Sequence, residues 1–276
     1  MEEPRTLVLY ARDELSRTGL RAAAVRRGLT VVEPGPTAAE LAAAAAAGSP
    51  VRAPGGLVAQ AIGLGAPIRL SGPTPEWFVG LGAAVTGRTW RRVTPAAARE
   101  MLVTGPVFAK LADAKSPLVP ARRYHGVAEF DAVMTAAGNL PFDLLATRGW
   151  WEIDSEYRVF TAGREVLTAS AYRVQDEPWG PLLHTHRASF HAEAADHIAG
   201  LLAGLAPETV PPAAVLDVAR LADGRLVVLE ANQAWGSGLY GCDPDAVLAA
   251  VLAANDPGVH QRWRWRPDPA AVPPVD

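Results

Sequence analysis

Apolar and polar positions along the chain change period several times, and each change marks an element. The first unit opens with "TLVLY" (6–10), a short β-like run, and continues through a helical stretch over 13–27 into "LTVVEP" (29–34), a second strand. A helix over 37–47 and an apolar run over 56–61 follow. Strand, helix, strand at this spacing predicts a small α/β lobe. The next segment, "GPTPEWFVGLGAAVTGRTWRRVTPAAAREML", is rich in turn signals until Thr94-Pro95, where Thr94 caps a helix and Pro95 takes its first position. That helix leads into "GPVFAK", a strand ending on Lys110, and a helical region over 126–138 comes next. Period-two alternation returns in "WWEIDSEYRVFTAGREVLTASAYRV", a hairpin turning at Ala162-Gly163, with Glu156, Arg158 and Phe160 on one face and Tyr157 and Val159 on the other. A helix over 191–205 precedes a last hairpin, "AAVLDVARLADGRLVVLEANQ", and the Pro- and Trp-containing tail after Asn255 reads as a loosely packed or edge segment.

The last hairpin carries the most chemistry. With Asp223-Gly224 as a two-residue tip, Ala222 pairs with Arg225, and counting outward sets Asp217 opposite Glu230. Alternation then projects Asp217, Glu230 and Asn232 from one surface, with paired Cβ atoms about 4.5–5.5 Å apart. Two like charges at about 5 Å, at an effective dielectric of about 20, repel by roughly 3 kcal/mol, so a cation is expected there. Three hard oxygen donors suit Mg²⁺ or Mn²⁺ and do not suit zinc or copper. Mg²⁺ completes its shell with water and substrate phosphates, which points to a nucleotide. The same residues also fit a carboxyl pair sharing one proton, or an exposed hairpin whose acids never meet.

Composition narrows the field. Apolar residues make up 49% and charged residues 20% of the 276, which is ordinary for a folded globular protein and excludes wholesale disorder. Net charge is -3 with the basic residues scattered, so no nucleic-acid footprint is expected. The single cysteine, Cys242, rules out an internal disulfide, and the acidic start "MEEPRTLVLYARDEL" is unlike a secretory signal, so the expected location is cytoplasmic. The alanine run over 42–47 is too short to span a bilayer, and no membrane partner is expected.

A metal-nucleotide site also needs fixed positive charge. Lys110, emerging from the apolar "VFAK", is the first candidate, and Lys115, after "LADA", is the second, against the ordinary fate of a lysine as solvated surface. Arg158 leaves a largely apolar strand, and Glu156, two residues away, is placed to hold its guanidinium in a bidentate pair; a structural ion pair across the sheet fits as well. Arg173, beside Tyr172, ends the partner strand and reaches toward the same cleft. The glycine-rich "WGSGLYG" (235–241) lies just beyond Asn232, where its amides could approach an anion. Neither a P-loop nor a "GxGxxG" is present. His184, His186, His191 and His197 lack zinc-like spacing and read as a solvated set flanking a helix, and no nucleophile elbow exists. Trp150 and Trp151 are the tryptophan pair placed to flank a planar base.

A lysine strand, then the "EYRVF" strand, then "LDV...DGRLVVLEAN", in this order, resembles the ATP-grasp superfamily, and its small stand-alone members most. The resemblance covers about residues 70–245. It implies an α+β architecture in which two α+β subdomains clasp ATP, preceded by a small α/β lobe: 1–92 for the lobe, 93–260 for the ATP-grasp domain with a small subdomain at about 93–150 and a large one at about 151–260, and 261–276 as a tail. It further implies that Lys110 touches the α- and β-phosphates and that Lys115 lies on the loop over the nucleotide. Asp217, Glu230 and Asn232 would hold Mg²⁺ or Mn²⁺, Arg158 would face the transferred phosphate, and Trp151 and Glu152 would form the adenine hinge. Glu156 joins the nucleotide-binding set, and Arg173 joins Arg158 and Lys115 as a catalytic candidate. The covering loop, usually glycine-rich, is reduced here to "LADAKSP".

The implied activity is an ATP- and Mg²⁺-dependent ligase that joins a carboxylate to an amine, a peptide-like bond, through an acyl-phosphate. Its partners would be a small molecule or peptide bearing the carboxylate and an amine acceptor, with a homodimer left open. A phosphotransferase acting on a hydroxyl in the same cleft, and a nucleotide-sensing module without turnover, are the competing readings.

Overall fold

The computed structural model describes residues 6–113, 118–138, 142–174, 177–178, 188–256 and 258–266. The chain divides into two compact units. The larger joins residues up to Pro73 with Ile153–Trp265, and the smaller is built on Thr74–Glu152.

The larger unit begins with a parallel sheet in the order β2-β1-β3, formed by β1 (Thr6–Leu9), β2 (Thr30–Val32) and β3 (Val51–Arg52). Helix α1 (Glu14–Arg26) starts where the Asp13 carboxylate accepts the Ser16 N–H at 2.7 Å, a cap of about 1 kcal/mol. Helix α2 (Ala38–Ala44) starts on a capping box between Thr37 and Glu40. The expected apolar run over 56–61 is helix α3 (Gly55–Gly63), and β3, ahead of it, is an addition: two residues are too short to show a period.

The same unit holds an antiparallel sheet in the order β10-β9-β8-β11-β12, built from β8 (Ile153–Ala162), β9 (Glu165–Val174), β10 (Glu177–Pro178), β11 (Ala213–Leu221) and β12 (Leu226–Asn232). Helix α8 (Ala188–Ala203) packs on β8 and β9, and α9 (Pro244–Ala254) packs on α1, β8 and β11. Through α9 the parallel lobe and the large sheet share one core, in which Leu7, Leu20, Leu57, Phe160, Val215, Trp235, Leu248 and Val251 are buried.

Two turns differ from expectation by one residue. The β8–β9 turn is Gly163-Arg164, with Ala162 paired to Glu165 and Gly163 at φ +51°, because the residue able to take positive φ sets the tip. The β11–β12 tip has three residues, Ala222 to Gly224, with Leu221 N–H donating to Arg225 O at 2.9 Å and Gly224 at φ +87°. Nor is the tail loose throughout: Trp263 is buried, the Trp265 ring lies 4.6 Å from that of Trp235, and Ser71 bridges to Arg264. Packing two indoles outweighs the Pro and polar signals around them.

The smaller unit is an antiparallel sheet in the order β4-β7-β5-β6, from β4 (Arg91–Val93), β5 (Val107–Leu111), β6 (Arg122–Tyr124) and β7 (Leu144–Thr147). Short helices α4 (Pro75–Gly80) and α5 (Ala83–Thr86) precede it, and α6 (Pro95–Val103) and α7 (Val127–Ala136) lie near the expected positions. Thr94 Oγ1 accepts the Ala97 N–H at 3.2 Å with Pro95 at the first position of α6. Val107, Ala109 and Leu111 alternate into a core with Leu102, Phe130 and Met134, which turns Phe108 and Lys110 to the opposite face.

Candidate functional site

Asp217 and Glu230 are paired across β11 and β12, as the counting predicts, for a reason it misses. The three-residue tip moves the register by one, and a bulge beyond Asp217 moves it back: Val218 faces Val228 while Asp217 faces Glu230, which leaves Leu229 as the extra residue. Asn232, on the same strand as Glu230, donates from Nδ2 to Asp217 Oδ2 at 3.1 Å and to Glu230 Oε1 at 2.8 Å. The three side chains therefore converge.

Asp217 is 1% exposed, and its counter-ion is Arg158. Arg158 Nε donates to Oδ1 and Nη2 to Oδ2, each at 2.8 Å. This corrects the expected Glu156–Arg158 pair. Arg158 and Asp217 sit directly opposite on neighbouring strands, about 5 Å apart, whereas residues two apart on one strand are nearly 7 Å apart. Glu156 instead accepts from the Tyr172 hydroxyl through a short hydrogen bond and from Arg173 Nη1 at 3.3 Å, with Tyr172 displaced by a bulge in β9.

Two rings complete the setting of Arg158. Its guanidinium carbon lies 5.3 Å from the Tyr172 ring centre and 4.8 Å from that of Tyr240, and the rings stack 5.2 Å apart. Tyr240, at φ +49°, is the one non-glycine residue with positive φ among those described. Burial pushes the Asp217 carboxyl upward and Arg158 pulls it back, with Glu230 adding to the push. Burial also works against the Arg158 charge, but Asp217 more than offsets it, so the guanidinium is held above its ordinary value. The bidentate geometry keeps the pair ionised near neutral pH. Burial, then Asp217 and Glu156, keep the Tyr172 phenol protonated.

In the loop over 235–241 the Gly236 amide donates to the Gln233 carbonyl at 3.2 Å. Its Ser237 and Gly238 carbonyls accept from Arg52 Nη2 at 3.0 Å and Arg158 Nη1 at 3.3 Å. Its Leu239 and Gly241 amides donate to the hydroxyls of Ser16 and Ser170.

In the smaller unit Lys110 Nζ lies 5.8 Å from the Phe78 ring centre and 6.0 Å from that of Trp90. These rings run on through Phe108 to Trp150 in edge-on and tilted contacts of 5.6 to 6.1 Å. Arg88 lies 4.4 Å over Trp90 and 5.1 Å from Phe108 and makes no ion pair among the described residues; burial pushes it down to about 10, so it stays charged at neutral pH. Trp151 is half-buried and Glu152 exposed.

Lys115, His184 and His186 lie outside the described residues. His191 and His197 are half-buried: His191 Nε2 accepts the Ala171 N–H at 3.1 Å, and burial lowers His197. No group of three His, Cys, Asp or Glu side chains with metal-binding geometry occurs among the described residues. Cys242 is buried, with Sγ 3.7 Å from the Arg158 carbonyl. Among the described residues no helix is long and apolar enough to cross a membrane.

A hard divalent cation fits the hairpin. The donors are two carboxylates and an amide, Arg158 leaves one acceptor position on Asp217 Oδ1, and the Asn232 amide already occupies the point on which both acids converge. Nitrogen and oxygen of that amide are interchangeable by a half-turn, which would present Oδ1 to a cation. Reasoning from sequence missed Arg52, Tyr172 as an Arg158 neighbour, and Tyr240. Only Tyr172 carried a signal, its adjacency to Arg173.

Residues 80–252 match the model of an ATP-grasp domain, the third family of its clade. No curated protein matches the chain significantly. Among solved structures, the chain is similar to a RimK domain ATP-grasp protein from Sphaerobacter thermophilus, at 17% identity and TM-score 0.51, covering 90% of this chain and 99% of that one. It is also similar to N5-carboxyaminoimidazole synthase from Aspergillus clavatus, at 12% identity and TM-score 0.55, covering 90% and 77% respectively. With the family model spanning more than half of the chain, and both units built from mixed helices and sheets, the protein belongs to the ATP-grasp superfamily.

Proposed function

We infer that the protein is an ATP- and Mg²⁺-dependent ligase that joins a carboxylate to an amine through an acyl-phosphate. The observation that carries this reading is the convergence of Asp217, Glu230 and Asn232 on one β-ribbon in an ATP-grasp chain. In it Asp217, Glu230 and Asn232 hold the cation, and Lys110 meets the α- and β-phosphates. When bound, the cation would offset phosphate charge and orient the triphosphate. Arg158, fixed by Asp217 and two rings, supplies a rigid donor for the transferred phosphoryl group, and its charge stabilises what develops there without reorganisation. Glu156 and Tyr172 hold the strand around Arg158, and Arg173 closes that network. Trp151 and Glu152 are assigned to the adenine end, and Lys115 to the phosphates.

The balance is a carboxylate oxygen attacking the γ-phosphorus, ADP leaving, and the amine displacing phosphate from the acyl carbon. An amine that arrives neutral needs no general base, in keeping with a half-buried His191 engaged by the backbone. Pools of small carboxylic acids and peptides, incubated with ATP, Mg²⁺ and hydroxylamine as a generic amine, are expected to give a hydroxamate with one ADP each. A phosphorylated alcohol in place of the hydroxamate would move the reading to a phosphotransferase. ATP that stabilises the protein in Mg²⁺ but never turns over would make it a sensor.

A further inference from the structure

Arg52 closes the two-residue strand β3 and is 4% exposed, yet no carboxylate among the described residues pairs with it. Its guanidinium makes two hydrogen bonds there, both to backbone carbonyls: Nη1 to Tyr10 at 2.9 Å and Nη2 to Ser237 at 3.0 Å. Nε is buried without a partner among the described residues. The one acid acting on it electrostatically, Asp13, is committed to capping α1. An almost fully buried cation balanced only by carbonyl dipoles is costly, and in a native protein it calls for an anion.

The chain around Arg52 supplies the rest of an anion site. Three residues on, α3 begins at Gly55 with Pro54 at its N-cap, and no side chain caps it. Its first N–H groups have no partner within the helix, and the helix dipole favours negative charge there. Both border the same short segment: the Ser237 carbonyl takes the Arg52 bond, and a Cβ on the adjoining Gly236 would lie 3.9 Å from Gly55 N. Pro54, Gly55 and Gly56 are half-buried, so the start of α3 keeps some contact with solvent. All of this lies at the carboxyl ends of β1 and β3, the edge of a parallel sheet where ligands enter.

We propose that Arg52 and the N–H groups opening α3 bind an oxyanion, the distal carboxylate or phosphate of a substrate. Its relation to the chemistry rests on the ligase reading: the Ser237 carbonyl held by Arg52 is followed by the Gly238 carbonyl held by Arg158, so a substrate anchored at Arg52 extends one residue along the loop to reach Arg158. The anion site itself is independent of that reading. The substrate class is therefore acidic at the end remote from the reacting group.

The test uses the full chain without ATP or Mg²⁺, so its failure is separate from failure of the ligase assignment. Thermal midpoints are measured with inorganic phosphate and with glutarate, at ionic strength held constant with chloride. At about ten times its Kd the fitting probe is expected to raise the midpoint by about 3 to 5 °C. Phosphate acting alone identifies a phosphate end, and glutarate acting alone a carboxylate end. Arg52→Met is expected to lose the response. Gly55→Asp, at a position where an added Cβ meets only Trp235 at 3.9 Å, places a carboxylate in the first turn; it is expected to raise the midpoint without probe and to lose the response. No shift with either probe, or a shift that survives Gly55→Asp, overturns the proposal, and the latter result decides even if Arg52→Met does not fold.

Discussion

In the larger unit Arg158 is locked to Asp217 by two parallel bonds, whereas in the smaller unit Lys110 and Arg88 lie against the faces of Phe78, Trp90 and Phe108. The first arrangement neutralises charge and fixes geometry. The second leaves the Arg88 charge intact, because a ring quadrupole attracts a cation without cancelling it and Arg88 makes no ion pair among the described residues. An anion approaching Arg88 meets an unneutralised charge. One approaching Arg158 meets a directed donor, whose strength depends on what else Asp217 is asked to bind.

The contrast predicts that the larger unit is brittle and the smaller tolerant. Asp217→Ala strips a buried guanidinium of its partner and is expected to cost about 3–5 kcal/mol in urea unfolding, and to remove the Mg²⁺-dependent part of ATP stabilisation. Loss of Mg²⁺ dependence with full stability would break the comparison. Replacing both partners, in Asp217→Leu with Arg158→Met, is expected to recover much of that stability while nucleotide binding stays lost, which a double-mutant cycle would read as coupling. Lys110→Met, at a half-buried position of β5, is expected to cost much less stability than Asp217→Ala, yet to weaken ATP in a titration that leaves the Mg²⁺ requirement unchanged. A stability loss as large as that of Asp217→Ala would mean that the smaller unit depends on Lys110 as heavily as the larger depends on Asp217.

The smallest expected effect concerns Cys242, whose thiol burial pushes up to about 11. Because the folded value is the higher, its contribution to stability is present below the ordinary thiol value of about 8.5 and is lost as pH rises from there to about 11. Native protein at pH 8 should react with a thiol reagent only as fast as it unfolds, and rapid labelling would contradict its burial.

The facing acids were legible because alternation and a turn residue are local signals. Even so, the agreement at Asp217 came from two departures that cancel, a longer tip and a bulge at Leu229, neither visible in residue types. The helix that starts at Thr94-Pro95 could be read for the same local reason, whereas the same signal at Thr74-Pro75 reads as a turn although α4 starts there. Which acid holds Arg158 could not, since it depends on β8 lying beside β11, a pairing between segments 59 residues apart. Arg52 was hidden in a strand too short for a period, and the positive φ of Tyr240 belongs to a residue type that gives no warning of it. The Pro-rich signal of the tail was overridden by Trp263 and Trp265, whose packing only the folded lobe could reveal.

The surplus residue at Leu229 also acts as slack in the ribbon. Since the ladder can take up or release one position there, a chain that lost a residue from the tip need not turn its acids toward the wrong side of the sheet. Loop length is thereby uncoupled from the facing of Asp217 and Glu230.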